Sequence, residues 1–459
     1  MPTTPRRATP ATARGQRPAR PPVKQREGIA IVMALTAIAI LALIVSEMHL
    51  STSSSFRIAF AQRDRFQAEQ LARSSLNLTR LLVSIEPEIR QMVTPIYQAV
   101  ARRAPPQLPI WNFANSLLSP FCDYEGNLDS LKTAGVATSQ VEGLGKTGGT
   151  CQILAASENA KLNVNLQIGV APEIAKRNIA QQLFTMMGGE ISPNPYDRLF
   201  ERRDRFGNTN TRMDIISALI DWWDVDQQST VFDPRTRTVS QAGSEDDVYQ
   251  RAGLGYRIKN APYDSIEELR LIRGIDDDFW VNFVTNDDSD PSARKLTIYG
   301  LGNINPNEAP PEVLLSRVCS LAAETTLCAD PLERLKFVQI VSTARLMLPL
   351  PFFSKGEDFV NFIQGRGGQA DLYPILQSFL GESSPMLFLP VTLEGEVSKL
   401  LISSFSPETQ IVSIDAMGYV GQSKVRLRTV VNFHSRWTPP PPNAGRVSPL
   451  GVLHYYRID

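Results

Sequence analysis

Apolar residues run unbroken from Ile29 to Val45, and the only polar member of those seventeen positions is Thr36. As a helix rising 1.5 Å per residue the run extends roughly 26 Å, enough to enter a bilayer and cross most of its hydrocarbon. Beyond it Leu71, Leu78, Leu82, Ile85, Ile89, Met92, Ile96 and Val100 recur mainly at steps of three and four. That spacing predicts a helix resting one face on a globular body. Pro87 and Pro95 predict a kink or restart, and Ala104-Pro105-Pro106 a stop.

The middle of the chain keeps a helical period. Met213 to Trp223 forms an amphipathic helix that runs into Asp221, Asp224 and Asp226, and a polar loop of about twenty residues follows. Ser265-Ile-Glu-Glu268 is a capping box opening a short helix that ends at Gly274, and Ser354-Lys-Gly-Glu357 is a second one. Between them Pro310-Pro311 opens another helix, and a further one covers Leu332 to Met347. The period then changes: Gln410 to Ile414 and Val425 to Phe433 read as antiparallel strands around the turn-rich Gly418 to Lys424. A stiff linker, Trp437 to Pro442, precedes a last strand at Gly451 to Ile458. These late strands are expected to pair with those around Cys151 to Asn165.

Composition changes the picture chiefly at the N-terminus. With 42% hydrophobic and 20% charged residues the 459-residue chain can bury real cores, and 47 basic against 47 acidic side chains argue against a generic nucleic-acid binder. That neutrality is an average. Residues 1–28 hold Arg6, Arg7, Arg14, Arg17, Arg20, Lys24 and Arg26 against Glu27 alone, with six prolines, leaving 40 basic against 46 acidic residues in the rest. A soluble core helix has no use for a basic tail directly upstream; a membrane segment keeps that side in the cytoplasm.

A conventional cleaved signal peptide would need small residues after the apolar run, where the chain has Ser46, Glu47, Met48 and His49. A cut before the run, at Gly28/Ile29, fits better. A basic leader ending in Gly and followed at once by a long apolar helix resembles the type IV prepilin class, which implies removal of residues 1–28 and methylation of Ile29. One departure is that Met33 stands where most of that class carries Glu. Cys122, Cys151, Cys319 and Cys328 suit an exported body, with Cys122–Cys151 and Cys319–Cys328 the simplest of three possible pairings.

The ordered series Ala160-Lys-Leu-Asn-Val-Asn165, Ala218-Leu-Ile-Asp-Trp-Trp-Asp-Val-Asp226, Gly243-Ser-Glu-Asp246, Asp264 to Ile275 and Asn303 to Leu314 resembles the type II secretion minor pseudopilin K family, also called general secretion pathway protein K. The likeness covers most of the chain from Arg26 onward. It implies an α+β, pilin-like fold: a long N-terminal helix, partly transmembrane, packed on an antiparallel sheet, with a large inserted α-helical domain containing helix-hairpin-helix units. The corresponding divisions are a cleaved leader at 1–28 and a long helix at 29–104, its membrane part 29–45. The early pilin-like part follows at 105–165, the helical insertion at 166–390 and the closing strands at 391–459. Members of the family lack the Glu that Met33 replaces, as suits a subunit with no neighbour ahead of it.

The implied function is that of a non-enzymatic subunit at the tip of the secretion pseudopilus, single-pass in the inner membrane with its bulk in the periplasm. The implied partners are minor pseudopilins I and J and the other pseudopilus subunits, the prepilin peptidase and the inner-membrane secretion platform. A minor pilin of a type IV pilus, and a single-pass periplasmic sensor or enzyme, are the alternatives. The resemblance also implies a structural calcium ion held by Asp224, Asp226, Glu245 and Asp246. Spacing alone reads the same residues as a solvated acidic face, and they are no EF-hand, lacking its Gly and closing Glu. Nucleic acid is an unsuitable partner for the hairpin at Gly274, because Asp276, Asp277 and Asp278 would repel a phosphate. No nucleophile motif or phosphate loop appears.

Overall fold

The computed structural model describes residues 27–101, 104–122, 148–165, 170–203, 207–251, 254–347, 351–368, 371–381, 384–434, 448 and 450–459. Most of the expected leader and the linker Trp437 to Pro442 lie outside the described residues. The chain divides into two compact units, Met1–Arg63 and Asp64–Asp459.

The first unit, where described, is one continuous stretch of helix α1, which spans Glu27–Ser84 and is long and apolar enough to cross a membrane. Its apolar side chains, Ile29, Leu35 and Leu43 among them, are exposed. Thr36 Oγ1 donates to Met33 O at 3.0 Å, so the one hydroxyl in the run finds its partner within the helix.

In the second unit α1 ends at Ser84 and α2 (Glu86–Ala101) restarts with Pro87 in its first turn, as the prolines predict. The expected stripe is met in part: Leu71 is buried and Leu78, Leu82 and Ile89 pack against the same core. Ala68, Leu71, Ala72, Ser75, Leu76, Thr79 and Val83 are buried, whereas Met92 and Ile96 on α2 are among the more exposed apolar residues. Small side chains dominate this face because size, rather than hydropathy, is what the contact selects. The helix backbone lies directly on the sheet at Gly418, where any Cβ would collide with the Ala68 carbonyl.

The strands are β1 (Thr150–Ser157), β2 (Leu162–Asn163), β3 (Gln228–Asp233), β4 (Thr238–Ser244), β5 (Leu296–Thr297), β6 (Ile411–Val420), β7 (Ser423–Asn432) and β8 (Val452–Ile458). Four of them form an antiparallel sheet in the order β1-β6-β7-β8, with Thr150 opposite Tyr419 and Ser157 opposite Val412. The expected pairing of early with late strands is therefore present. Strands β6 and β7 are longer than their β-branched cores, running through the supposed turn region to a tight connection at Gly421, which has φ +57°. Ile153, Ile414, Ala416, Val425 and Leu427 of the sheet, with Phe433 just beyond β7, enclose one core with α1 and Trp111.

Between Ser157 and Ile411 the chain leaves this sheet for a helical body. Its helices include Pro172–Met186, Arg212–Asp221, Pro311–Leu321, Pro331–Met347, Gly356–Ile363, Leu372–Leu380 and Gly395–Ser404, around a second core rich in Phe337, Phe359, Phe362 and Phe388. Proline occupies the first turn of the first and third of these. The box at Ser265 is present, with Glu268 Oε1 accepting from Ser265 N at 3.3 Å, on a 3₁₀ turn at Ile266–Leu271. The second box is displaced by one residue. Asp358, not Glu357, reaches back, accepting from Ser354 N and Lys355 N at 2.8 and 3.1 Å.

The quoted motifs build the root of the excursion. Asn159 Oδ1 accepts from Gln410 N and Ile411 N, both at 3.0 Å, and its carbonyl accepts from Asn305 N at 2.7 Å. One asparagine thus ties both ends of the insertion to the family-like Asn303–Leu314 segment. Beside it the buried Lys161 donates to Glu158 Oε1 at 2.5 Å, and Thr297 Oγ1 donates to Glu158 Oε2.

Candidate metal centre

The helix Arg212–Asp221 starts with a reciprocal cap. Asp214 N donates to Thr211 Oγ1 at 3.2 Å and Thr211 N to Asp214 Oδ2 at 2.8 Å. Ile215, Ile216, Leu219 and Ile220 bury its inner face, and Trp222 and Trp223 lock the turn that follows. Trp222 Nε1 donates to Glu268 Oε2 at 3.2 Å. Asp221 and Asp224, three residues apart on this anchored turn, face the same side.

The polar stretch after them is no loose loop. Strands β3 and β4 pair as a hairpin, with Phe232 opposite Val239, which returns the chain so that Glu245 N donates to Gln227 O at 3.4 Å. Only Thr230 and Phe232 of β3 are buried, so its alternation is too brief to announce a strand. The hairpin delivers Glu245 to Asp221 and Asp224. Potential ligand oxygens of these three buried residues all lie within 4.8 Å of one another.

The hydrogen bonds define what each carboxylate has left to offer. Asp221 Oδ1 accepts from Thr230 N at 2.8 Å and Oδ2 from Ser229 Oγ at 3.1 Å. Lys176, on the helix Pro172–Met186, places Nζ 2.7 Å from Asp224 Oδ2 and 3.1 Å from Asp226 Oδ2. Asp224 Oδ1 and Glu245 Oε1 are buried and accept no hydrogen bond among the described residues. Burial pushes the Asp221 carboxyl up to about 6, and burial followed by the facing Asp224 and Asp221 pushes that of Glu245 up to about 9. Asp224 is raised as well, by burial, against the pull of Lys176.

Uncommitted carboxylate oxygens held together in a buried site, with no His or Cys among them, suit a hard divalent cation of the calcium type. Of the four expected ligands the structure brings Asp224 and Glu245 into this group and adds Asp221, which sequence reasoning had noted as acidic without assigning it. Its three-residue spacing from Asp224 was the available signal. Asp226 lies beside the group: its Oδ1 accepts from Gln228 N at 2.8 Å, and its Oδ2 from Gln241 Nε2 at 2.7 Å as well as from Lys176. Asp246 turns elsewhere, its Oδ1 accepting from Ile258 N at 3.3 Å.

Cys319 and Cys328 are disulfide-bonded, and Cys151 is in a disulfide too, while the side chain of Cys122 lies outside the described residues. Gly28 and Ile29 both fall within α1.

A long apolar N-terminal helix continuing onto an antiparallel sheet, with a helical body inserted between the first and second strands of that sheet, defines the pilin-like class of subunit. Residues 161–282 match the family model of type II secretion system (T2SS) protein K, about a quarter of the chain. A chain of the crystal structure of the GspK-GspI-GspJ complex from the enterotoxigenic Escherichia coli type 2 secretion system is similar at 14% identity, with a TM-score of 0.37, covering 68% of this chain and 80% of that one. No curated protein matches.

Proposed function

We propose that this protein is a non-enzymatic minor pseudopilin at the tip of the type II secretion pseudopilus, where it helps to start assembly and to export proteins across the outer membrane. The match of residues 161–282 to protein K carries this reading. The apolar face of α1 from Ile29 to Val45 serves as inner-membrane anchor before assembly and packs among neighbouring helices afterwards. The basic leader stays cytoplasmic, a prepilin peptidase removes residues 1–28, and Ile29 becomes the methylated N-terminus. The helical body between β1 and β6 is too bulky to repeat along a filament and suits a terminal position.

In this reading the partners are minor pseudopilins I and J, the other pseudopilus subunits and the inner-membrane platform. The test is co-purification of the full chain with I and J from membranes of a secreting host, together with the mass of its N-terminus. An intact Met1 leader in a host with active prepilin peptidase, or recovery with type IV pilus subunits instead, overturns the proposal.

The acidic group is read as a structural calcium site formed by Asp221, Asp224 and Glu245, with Asp226 at its edge. The unpartnered buried oxygens of Asp224 and Glu245 support this. Calcium there would tie the hairpin β3–β4 to the helix Arg212–Asp221. Calcium should raise the thermal midpoint relative to chelator, and an unchanged midpoint overturns the reading.

A further inference from the structure

Lys176 sits where the helix Pro172–Met186 faces the core, in register with the buried Ile179, Ala180 and Leu183 at three, four and seven residues on. An ammonium is out of place in such a stripe unless it has a charged partner. Here it has two, Asp224 and Asp226, at 2.7 and 3.1 Å. Among the described residues it is the ammonium that ion-pairs with this acidic group, through Asp224 and Asp226. The amide of Gln241 and the backbone N–H groups of Gln228 and Thr230 supply neutral donors to the same carboxylates.

We propose that Lys176 is a tethered counter-cation that competes with the divalent ion: it holds the acidic group together when no ion is bound and weakens the ion's hold when one is. The inference rests on the calcium reading of the group. Its physics is direct, since the ammonium occupies Asp224 Oδ2 and repels any cation seated on Oδ1 of the same carboxylate. Removing it frees the Asp224 and Asp226 oxygens for the ion but leaves the buried carboxylates uncompensated in the ion-free protein. Lys176 thereby sets how much calcium the protein needs before the site fills.

The full chain in detergent micelles is titrated with calcium by calorimetry, and its thermal midpoint in chelator is followed by circular dichroism. Wild type is compared with K176M, which keeps the stem without the charge, and with K176R. K176M should bind calcium at least about tenfold more tightly and melt lower in chelator, with calcium recovering the loss; K176R should stay within about threefold of wild type. If K176M does not fold without the ion, K176Q is measured in its place, and refolding of either variant on calcium addition counts for the proposal. Wild-type calcium affinity in the uncharged variant, with an unchanged midpoint in chelator, overturns this inference while leaving the calcium reading intact. Absence of calcium binding in both proteins overturns the calcium reading and this inference with it.

Discussion

The indole N–H of Trp111 donates to Glu308 Oε1 at 2.8 Å, joining the pilin-like core to the inserted helical body through a partly buried hydrogen bond. Glu308 Oε2 accepts from Thr409 Oγ1 at 2.7 Å and Asn305 Nδ2 at 3.2 Å, and the side chain of Gln107 brackets the Thr409 backbone. The carboxylate is the centre of a polar hub between the segment that follows α2, the insertion and the entry to β6. Trp111→Phe should cost about 2 kcal/mol, the worth of a hydrogen bond to a charged group, and Glu308→Ala about 3 kcal/mol because it strands several buried donors. Denaturant midpoints of the two variants check this; a smaller effect for the alanine would mean the hub is not a unit.

Gly418 is where α1 meets the sheet. Valine there has no room against the Ala68 carbonyl and the Ala72 amide, so Gly418→Val should lift the helix away and destabilise the second unit by about 3 kcal/mol. The same substitution at Gly395, whose added Cβ would meet nothing, should cost far less. Thermal midpoints of the pair provide the comparison.

The Cys319–Cys328 disulfide closes a short loop between the helix Pro311–Leu321 and the turn Thr326–Ala329. Loop-closure entropy for a sequence separation of 9 gives a stabilisation of about 3 kcal/mol. The double Cys→Ala variant should show that loss in the oxidised protein. In reductant, wild type and variant should converge.

The acidic group fixes a pH dependence for the ion-free protein. Asp221 moves from its ordinary 3.8 up to about 6, and Glu245 moves up as well, so the folded state binds protons more tightly than the unfolded one. Stability is therefore greatest below the unfolded values and falls as pH rises through about 6 and toward about 9. In chelator the thermal midpoint should drop across that range. Saturating calcium, which needs the carboxylates ionised, should flatten or reverse the slope, and a chelated protein whose stability rises with pH would exclude this electrostatic account.

Strong periodicity made several elements legible. The helices at Pro331–Met347 and Arg212–Asp221 and the strands β6 and β7 follow from residue spacing and β-branching, because each carries enough apolar contacts to impose its own period. The capping box at Ser354 slipped by one position because Glu357 and Asp358 are chemically interchangeable there and only the entry angle of the chain chooses. The hairpin β3–β4 carries no strand signature in the sequence because most of its side chains face solvent, so its pairing rests on backbone hydrogen bonds that composition does not encode.

By itself the sequence determined the apolar run at Ile29–Val45 and the basic stretch before it, the helical middle, the strand-rich end and a motif series resembling that of protein K, since each is written in local hydropathy, charge or spacing. Tertiary structure alone decided which face of α1 is buried, how β1 pairs with β6 across the insertion, and which acids meet. Those outcomes depend on closeness between residues far apart in the chain: Ala68 fits because Gly418 lacks a side chain, and Asp224 becomes half of a site only when a hairpin returns Glu245 and a helix supplies Lys176.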